Sequence, residues 1–132
     1  MRDFLHELTG TVIADRGNGR IVIDLRYAPD DAVFLSQAAW FVETVERIAR
    51  EAAGPIDFLF DLSHFEPSIW NALMRERCRQ MLEESTIARR IAIVGDAITF
   101  GIVYVTLESL RENKEKVKFC FSIPEAKTWL GW

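Results

Sequence analysis

Gly54-Pro55-Ile56-Asp57-Phe58-Leu59-Phe60-Asp61 is the stretch that decides the fold. Glycine followed by proline ends a preceding helix, because glycine terminates helices well and proline cannot continue them. The six residues that follow are mostly apolar without strict alternation, which is typical of a strand covered on both faces. The stretch therefore predicts an α/β domain with a buried central strand.

A long amphipathic helix precedes this strand. Pro29-Asp30-Asp31 marks its start, since carboxylates are favourable beside the free N–H groups of a first turn. Its apolar residues recur at steps of three and four and form one stripe: Phe34, Ala38, Phe41, Val45 and Ile48. Further upstream, Thr11–Ala14 and Ile21–Leu25 flank an Asn18-Gly19 turn, the type that joins antiparallel strands. The first part of the chain is therefore predicted to be a hairpin followed by a helix.

Strands and helices alternate after the central strand. We expect a helix opening at Pro67-Ser68, a strand over Arg90–Val94, a helix over Ala97–Arg111, a strand over Val117–Phe121 and a short helix over 124–130. Strand–helix–strand units of this length require right-handed crossovers and parallel pairing. The prediction is a single domain over residues 1–132. Its mixed, four- to five-stranded sheet joins an antiparallel hairpin to parallel strands, with helices packed on it.

Composition and charge exclude several classes of protein. The net charge of −4 argues against a nucleic-acid partner, which usually meets a basic surface. The longest apolar stretch, 97–107, is shorter than the roughly 20 residues that cross a bilayer, so no transmembrane segment is expected. The first residues lack the apolar segment of a secretion signal. We therefore expect a cytoplasmic protein.

The sequence contains no motif typical of a metal site or a nucleotide-binding site. Cys78 and Cys120 stand far apart and are expected to be buried thiols, and only His6 and His64 could join them as zinc ligands. Gly95-Asp96 lies between a strand and a helix, but it lacks the glycine pattern of a phosphate-binding loop. Asp96 is instead the expected N-cap of that helix. We predict no metal and no other cofactor.

One histidine lies where an enzyme could place its chemistry. His64 follows the central strand at the carboxyl edge of the predicted sheet, where open α/β sheets hold ligands. Asp96 and Ser122 are expected at the same edge, but Ser122 lacks the glycine-flanked turn of a serine nucleophile. His64 and Asp96 are therefore candidates for an alternative, enzymatic site. We predict that His64 is not a catalytic base.

The helix predicted over Ala97–Arg111 is apolar almost all round its axis. A helix that covers one face of a sheet needs a single apolar stripe, so this pattern predicts burial on two sides. A neighbouring helix, a subunit interface or an apolar-ligand cleft would each supply the second side. The residues expected to bind a ligand or partner are Trp40, Trp70, Phe100, Tyr104 and Leu107.

Four short motifs carry a family resemblance: Gly17–Ile23, Phe58–Ser63, Arg90–Asp96, and Val117–Ser122 followed by Glu125–Leu130. With the element order, they resemble the SpoIIAA-like or STAS superfamily, in particular its STAS/SEC14-like branch, over nearly the whole chain. The resemblance implies a sheet of four or five strands backed by helices, docking on a partner, and no intrinsic catalysis.

The resemblance also implies a regulatory serine, and here the sequence departs from the pattern. In this superfamily a phosphorylatable serine lies in an Asp-Ser-Ser-Gly-like turn after the central strand. This chain has His64-Phe65-Glu66-Pro67-Ser68-Ile69-Trp70 at that place, with no Asp-Ser pair and no glycine. We therefore expect neither Ser63 nor Ser68 to be a phosphorylation switch.

Two functions remain from these patterns. The first is a non-enzymatic binding or regulatory module that docks a partner protein, a second copy of the chain, or a small apolar ligand through the region 97–111. The alternative is a small-molecule enzyme with its site near His64 and Asp96. An enzyme should show a pocket with converging polar groups at those residues, and a binding module an apolar surface or cleft.

Overall fold

The structure, a computed structural model, describes residues 1–66 and 70–132. Its strands and helices in chain order are β1 (Arg2–Leu5), β2 (Val12–Asp15), β3 (Arg20–Asp24), α1 (Asp31–Glu51), β4 (Ile56–Asp61), α2 (Ala72–Glu84), β5 (Ala88–Val94), α3 (Ala97–Glu108), β6 (Val117–Cys120) and α4 (Ile123–Leu130). A short 3-10 turn, Lys114–Lys116, precedes β6.

The sheet confirms the predicted fold class. Its six strands lie in the order of the sequence, from β1 to β6. β1, β2 and β3 pair antiparallel, and β3 to β6 pair parallel. Because each parallel step moves in the same direction, right-handed crossovers place α1, α2 and α3 on one face. The opposite face is covered by α4, whose Ala126 and Leu130 pack on Leu59, Ala92 and Cys120.

The sheet has one strand more than the four to five predicted. The additional strand, β1, is a short edge strand whose residues are alternately half-buried and exposed. Contacts with distant residues hold β1 in place, since Arg2 forms ion pairs with Asp15, at 3.2 Å, and with Glu51. Phe4 packs on the core beneath the guanidinium groups of Arg2 and Arg47. No local pattern in so short a segment announces these contacts.

The predicted hairpin is present, and it touches the segment before the central strand. Asn18 and Gly19 have positive φ angles of 56° and 72°, as a tight turn requires. A Cβ atom on Gly19 would lie 2.4 Å from the carbonyl oxygen of Pro55, so only glycine fits. The backbone N–H of Asp57 donates to the Gly19 carbonyl at 2.7 Å. The hairpin turn and the start of β4 are therefore fixed to each other.

Helix α2 begins later than predicted. It starts at Ala72, where the side chain of Asn71 accepts from the backbone N–H of Met74 at 2.9 Å. The predicted opening, Pro67-Ser68, lies outside the described residues. The structure therefore does not test the expectation that Ser68 is not a phosphorylation switch. Met74 is the one fully buried residue of α2. This helix therefore covers the sheet less tightly than α1 does.

None of the helices in 1–66 and 70–132 has both the length and the apolar character needed to cross a membrane.

Candidate functional site

A cleft of about 530 Å³ lies between the helices and the sheet. This volume is within the range typical of small-molecule sites in proteins. Its floor is the face of the sheet that carries Phe58, Phe60, Ile91 and Ile93. The apolar side chains that form its helical walls are Phe34, Ala38, Trp40, Phe41, Val42, Val45, Met74, Cys78, Met81, Leu82 and Val103.

The cleft is closed at the carboxyl edge of the sheet, where α1 and α2 begin. The amide of Asn71 donates to the carboxylate of Asp31 at 2.9 Å and so connects the two helix starts. Ala28, Phe34 and Met74 form a small buried cluster there, against which Trp70 packs.

Beyond this closed end, both helices present residues to the cleft. On α1 the lining extends from Phe34 to Glu46, and on α2 from Met74 to Glu84. With a rise of about 1.5 Å per residue, the cleft runs for about 18 Å along α1 and about 15 Å along α2. It is therefore elongated and suits a chain-like or flat ligand better than a compact one.

A polar network that includes the lining residues Thr11 and Gln37 lies at the closed end of the cleft. The hydroxyl groups of Thr9 and Thr11 both donate to the side-chain oxygen of Gln37, at 2.5 and 2.6 Å. The backbone N–H of Arg26 donates to the Thr11 hydroxyl at 2.9 Å. These bonds hold the end of β3 against α1 and fix the side chains of Thr9, Thr11 and Gln37.

Three buried polar side-chain atoms in the described part of the chain have no hydrogen-bond partner, and all three belong to residues that line the cleft. They are Arg26 Nε, Trp70 Nε1 and Thr106 Oγ1. Buried polar groups are nearly always paired in folded proteins, so each such atom requires an explanation. The cleft is therefore the place where the described part of the chain has hydrogen-bonding groups without a partner.

The structure divides the five predicted binding residues between two places. Trp40 and Trp70 line the large cleft. Phe100, Tyr104 and Leu107 instead line a smaller pocket of about 260 Å³, which α3 forms with the β6 region. From α3 it is Val103 and Thr106 that face the large cleft. Helix α3 thus lies between two pockets.

The sequence predicts that α3 is buried on two sides. In a single copy of the chain, one side is buried and the outer side is exposed. Thr99, Val103 and Thr106 are buried against the domain. On the outer side, Ile98 is 70 % exposed and Val105 is 62 % exposed. The neighbouring helix therefore does not supply the second covered side, and the other two alternatives remain.

The residues of the alternative site do not assemble as a catalytic triad. Asp96 caps α3 by accepting from the backbone N–H of Thr99 at 2.8 Å, and this hydrogen bond lowers the pKa of its carboxyl group. Ser122 caps α4 in the same way. The Nδ1 atom of His64 instead lies 3.3 Å from Asp24 and 3.5 Å from the Ser63 hydroxyl. The Asp24 carboxylate and the Ser63 hydroxyl thus lie near the same ring nitrogen, Nδ1. In a catalytic triad the carboxylate and the nucleophilic hydroxyl bind the two different ring nitrogens.

Sequence reasoning missed both Asp24 and most of the cleft. Asp24 lies 40 positions from His64, so no local spacing indicates the pair. A signal for the cleft was present in α2, whose apolar stripe consists of Met74, Cys78, Met81 and Leu82 at steps of three and four and contains no aromatic residue. Such a narrow stripe of slender side chains does not fill the space above a large aromatic surface.

The thiol of Cys78 reports on the environment inside the cleft. The residue is only partly covered, yet loss of solvation raises the pKa of the thiol to about 12. The two facts agree because its open side faces the apolar cleft instead of bulk water. Cys120 is fully buried, and burial also raises the pKa of its thiol. Both thiols remain protonated at neutral pH and are poor nucleophiles.

Neither metal chemistry nor a known relative identifies the site. Among residues 1–66 and 70–132, no three His, Cys, Asp or Glu side chains are grouped to hold a metal ion. No protein-family model matches the chain, and no curated protein matches it either. The function has therefore to be inferred from the geometry of the chain itself.

The raised pKa of Cys78 predicts an unusual pH profile for alkylation. In a Cys120→Ala variant with one remaining thiol, the rate of reaction with iodoacetamide should rise about tenfold per pH unit through pH 8 to 10 without levelling, because the thiolate is the reactive form. Quenched samples analysed by mass spectrometry give the rate, and circular dichroism confirms the fold at each pH. A plateau beginning near pH 9 would show an ordinary, solvated thiol and contradict the apolar character of the cleft.

Proposed function

We propose that the protein is a non-enzymatic binding module that holds a small apolar ligand in the cleft between the sheet, α1 and α2. The observation that carries this proposal is the cleft itself, an elongated space of about 530 Å³ lined mainly by apolar and aromatic side chains. Apolar surface is favourable to remove from water, so a matching ligand would bind with a substantial hydrophobic contribution.

The position of the tryptophan side chains supports the same proposal. Trp40 and Trp70 lie on the cleft, and the Trp40 ring stands 5.1 Å from the ring of His6. Aromatic side chains offer a large contact area with few rotatable bonds, and pockets for organic ligands are rich in them. These two residues are therefore proposed ligand contacts.

The family resemblance agrees with binding in place of catalysis. Members of the STAS superfamily act by docking, and the proposed module would belong to its STAS/SEC14-like branch. The competing proposal, an enzyme acting through His64 and Asp96, has less support because Asp96 already caps α3. His64 is half exposed, lies beside Asp24 and is not among the residues that line the cleft.

A second function is favoured by the outer side of α3, which we propose as a contact with a second copy of the chain. Ile98 and Val105 lie seven residues apart on the same side, with Gly101 between them and no atom near its open position. The helix carries a single charge, at Glu108. A helix side without repelling charges can meet its own copy across a twofold axis, and glycine allows close approach.

Filling the cleft should abolish ligand binding without unfolding the protein. Ala38 is buried and lines the cleft, so Ala38→Phe would place a ring where the ligand lies. The affinity for N-phenyl-naphthylamine, a neutral dye that fluoresces in apolar surroundings, should fall by at least about tenfold, since apolar contact area is lost. Fluorescence titration measures the affinity, and thermal unfolding checks the fold.

The matched control is Ala39→Phe, which adds the same ring at the next position of α1, where the side chain is exposed. This variant should bind the dye like the unchanged protein. Equal dye affinity in the two folded variants, or no dye binding by the unchanged protein, would contradict the proposed cleft function.

A charge on the outer side of α3 should separate the proposed dimer. Val105→Glu would place a carboxylate against its own copy near the twofold axis, so the mass measured by light scattering should change from that of two chains to that of one. Leu73→Glu is the control, because Leu73 is also an exposed apolar helix residue but belongs to α2. A monomeric unchanged protein at high concentration would contradict this second function.

A further inference from the structure

The charged residues on the cleft are not evenly distributed. The four in the described part of the chain are Arg26, Arg77, Glu46 and Glu84. Arg26 follows β3 at the closed, carboxyl-edge end, and Arg77 lies in the first half of α2. Glu46 lies in the last third of α1 and Glu84 is the last residue of α2, so both belong to the opposite end. Among the charged residues that line the cleft, the arginines therefore lie nearer the closed end and the glutamates nearer the other.

Two of the unpartnered polar atoms belong to the closed end, and both are donors. Arg26 Nε and Trp70 Nε1 each carry one hydrogen and accept none. Trp70 packs on Phe34 and Met74, between the starts of α1 and α2. An occupant that brings an acceptor to this end would satisfy both groups, whereas a purely apolar occupant would leave both unpaired.

The other charged groups at this end leave that acceptor role open. Asp24 accepts from Arg26 Nη2 at 3.0 Å and lies 3.3 Å from His64. It therefore occupies Nη2 and leaves the Nε hydrogen without a partner. Asp31 is bonded to the Asn71 amide. No carboxylate among the described residues contacts Arg26 Nε or Trp70 Nε1.

We propose that the ligand of the cleft is a single-chain carboxylic acid, bound with its carboxylate at the Arg26–Trp70 end and its apolar chain along Phe58, Phe60 and Val103. This inference rests on the proposed function and adds the chemical class of the ligand and its direction. A carboxylate carries only acceptors, forms charge-assisted hydrogen bonds with guanidinium N–H groups, and is repelled by Glu46 and Glu84 at the other end.

Binding in this way requires a local movement. Arg26 Nε and Trp70 Nε1 are covered in the structure, so their side chains have to turn toward the incoming head group. The Arg26 side chain is 39 % exposed and, among the described residues, Nη2 is its one hydrogen-bonded atom, which leaves it room to turn. The movement is a change of side-chain rotamer and leaves the strands and helices in place.

The test compares dodecanoate, dodecanol and dodecylamine, which share one chain and differ in the head group. Each is titrated below its aggregation threshold against protein loaded with N-phenyl-naphthylamine, and displacement of the dye gives the affinity. The acid should bind about tenfold more tightly than the alcohol, the usual effect of one hydrogen bond to a charged group. The amine should bind more weakly than the acid, because an ammonium group has no acceptor for Arg26 Nε and Trp70 Nε1.

Substitutions at the two proposed donors test where the carboxylate binds in the cleft. Trp70→Phe keeps the ring and removes the donor, and Arg26→Leu removes the charge, so each should lower the acid's affinity toward that of the alcohol. Arg75→Leu, which removes an exposed charge from α2 outside the cleft, should keep the full preference for the acid. Arg77→Leu should reduce the preference less than Arg26→Leu does.

The possible results distinguish a failure of the carboxylate inference from a failure of the proposed binding function. Equal affinity for acid and alcohol, tighter binding of the amine, or a larger effect of Arg77→Leu than of Arg26→Leu would overturn the carboxylate inference while the cleft still binds apolar chains. Failure of all three chains and of the dye to bind would overturn the proposed function, and the inference with it.

Discussion

Burial of strand β4 on both faces is the constraint on which the rest of the structure depends. The strand pairs with β3 on one side and β5 on the other, so its backbone is fully used within the sheet. Its side chains point alternately into two cores, with Phe58 in one and Leu59 in the other. Both faces therefore require cover, and the helices on either side follow from that requirement.

The two faces are covered unequally, and the cleft is a consequence of this difference. On the face of Leu59, α4 packs close to the sheet, with Ala126 and Leu130 almost fully buried. On the face of Phe58, α2 brings few large apolar side chains and buries only Met74 completely. The space that α2 leaves above the aromatic floor is the proposed ligand site. Folding and binding thus use the same apolar surface.

Much of the fold could be predicted because its signals are local. The Asn18-Gly19 turn, the stripe of α1 and the apolar run of β4 each act within a few residues, and together they establish a mixed sheet with parallel strands. The edge strand β1 could not be predicted, since its order depends on pairing with β2. The start of α2 at Ala72 follows from its cap, Asn71, a local signal of the kind that opens helices.

The site was less predictable, since it is assembled from distant segments. Trp40 and Trp70 do line the cleft, but its floor and the position of Arg26 depend on the register of the sheet and the placement of α2. Phe100, Tyr104 and Leu107 line a different pocket because they lie on the other side of α3 from Val103. Apolar character around a whole helix does not indicate which side meets which neighbour.

The central claim is that apolar ligands enter the cleft and not the outer side of α3. The most direct test is the methyl NMR spectrum of the protein titrated with a fatty acid that carries a nitroxide spin label near the end of its chain. Broadening should affect Val45, Ile91 and Val103, which line the cleft, and spare Val105, which lies on the exposed side of the same helix. Broadening centred on Val105, or no selective broadening at saturating ligand, would contradict the claim.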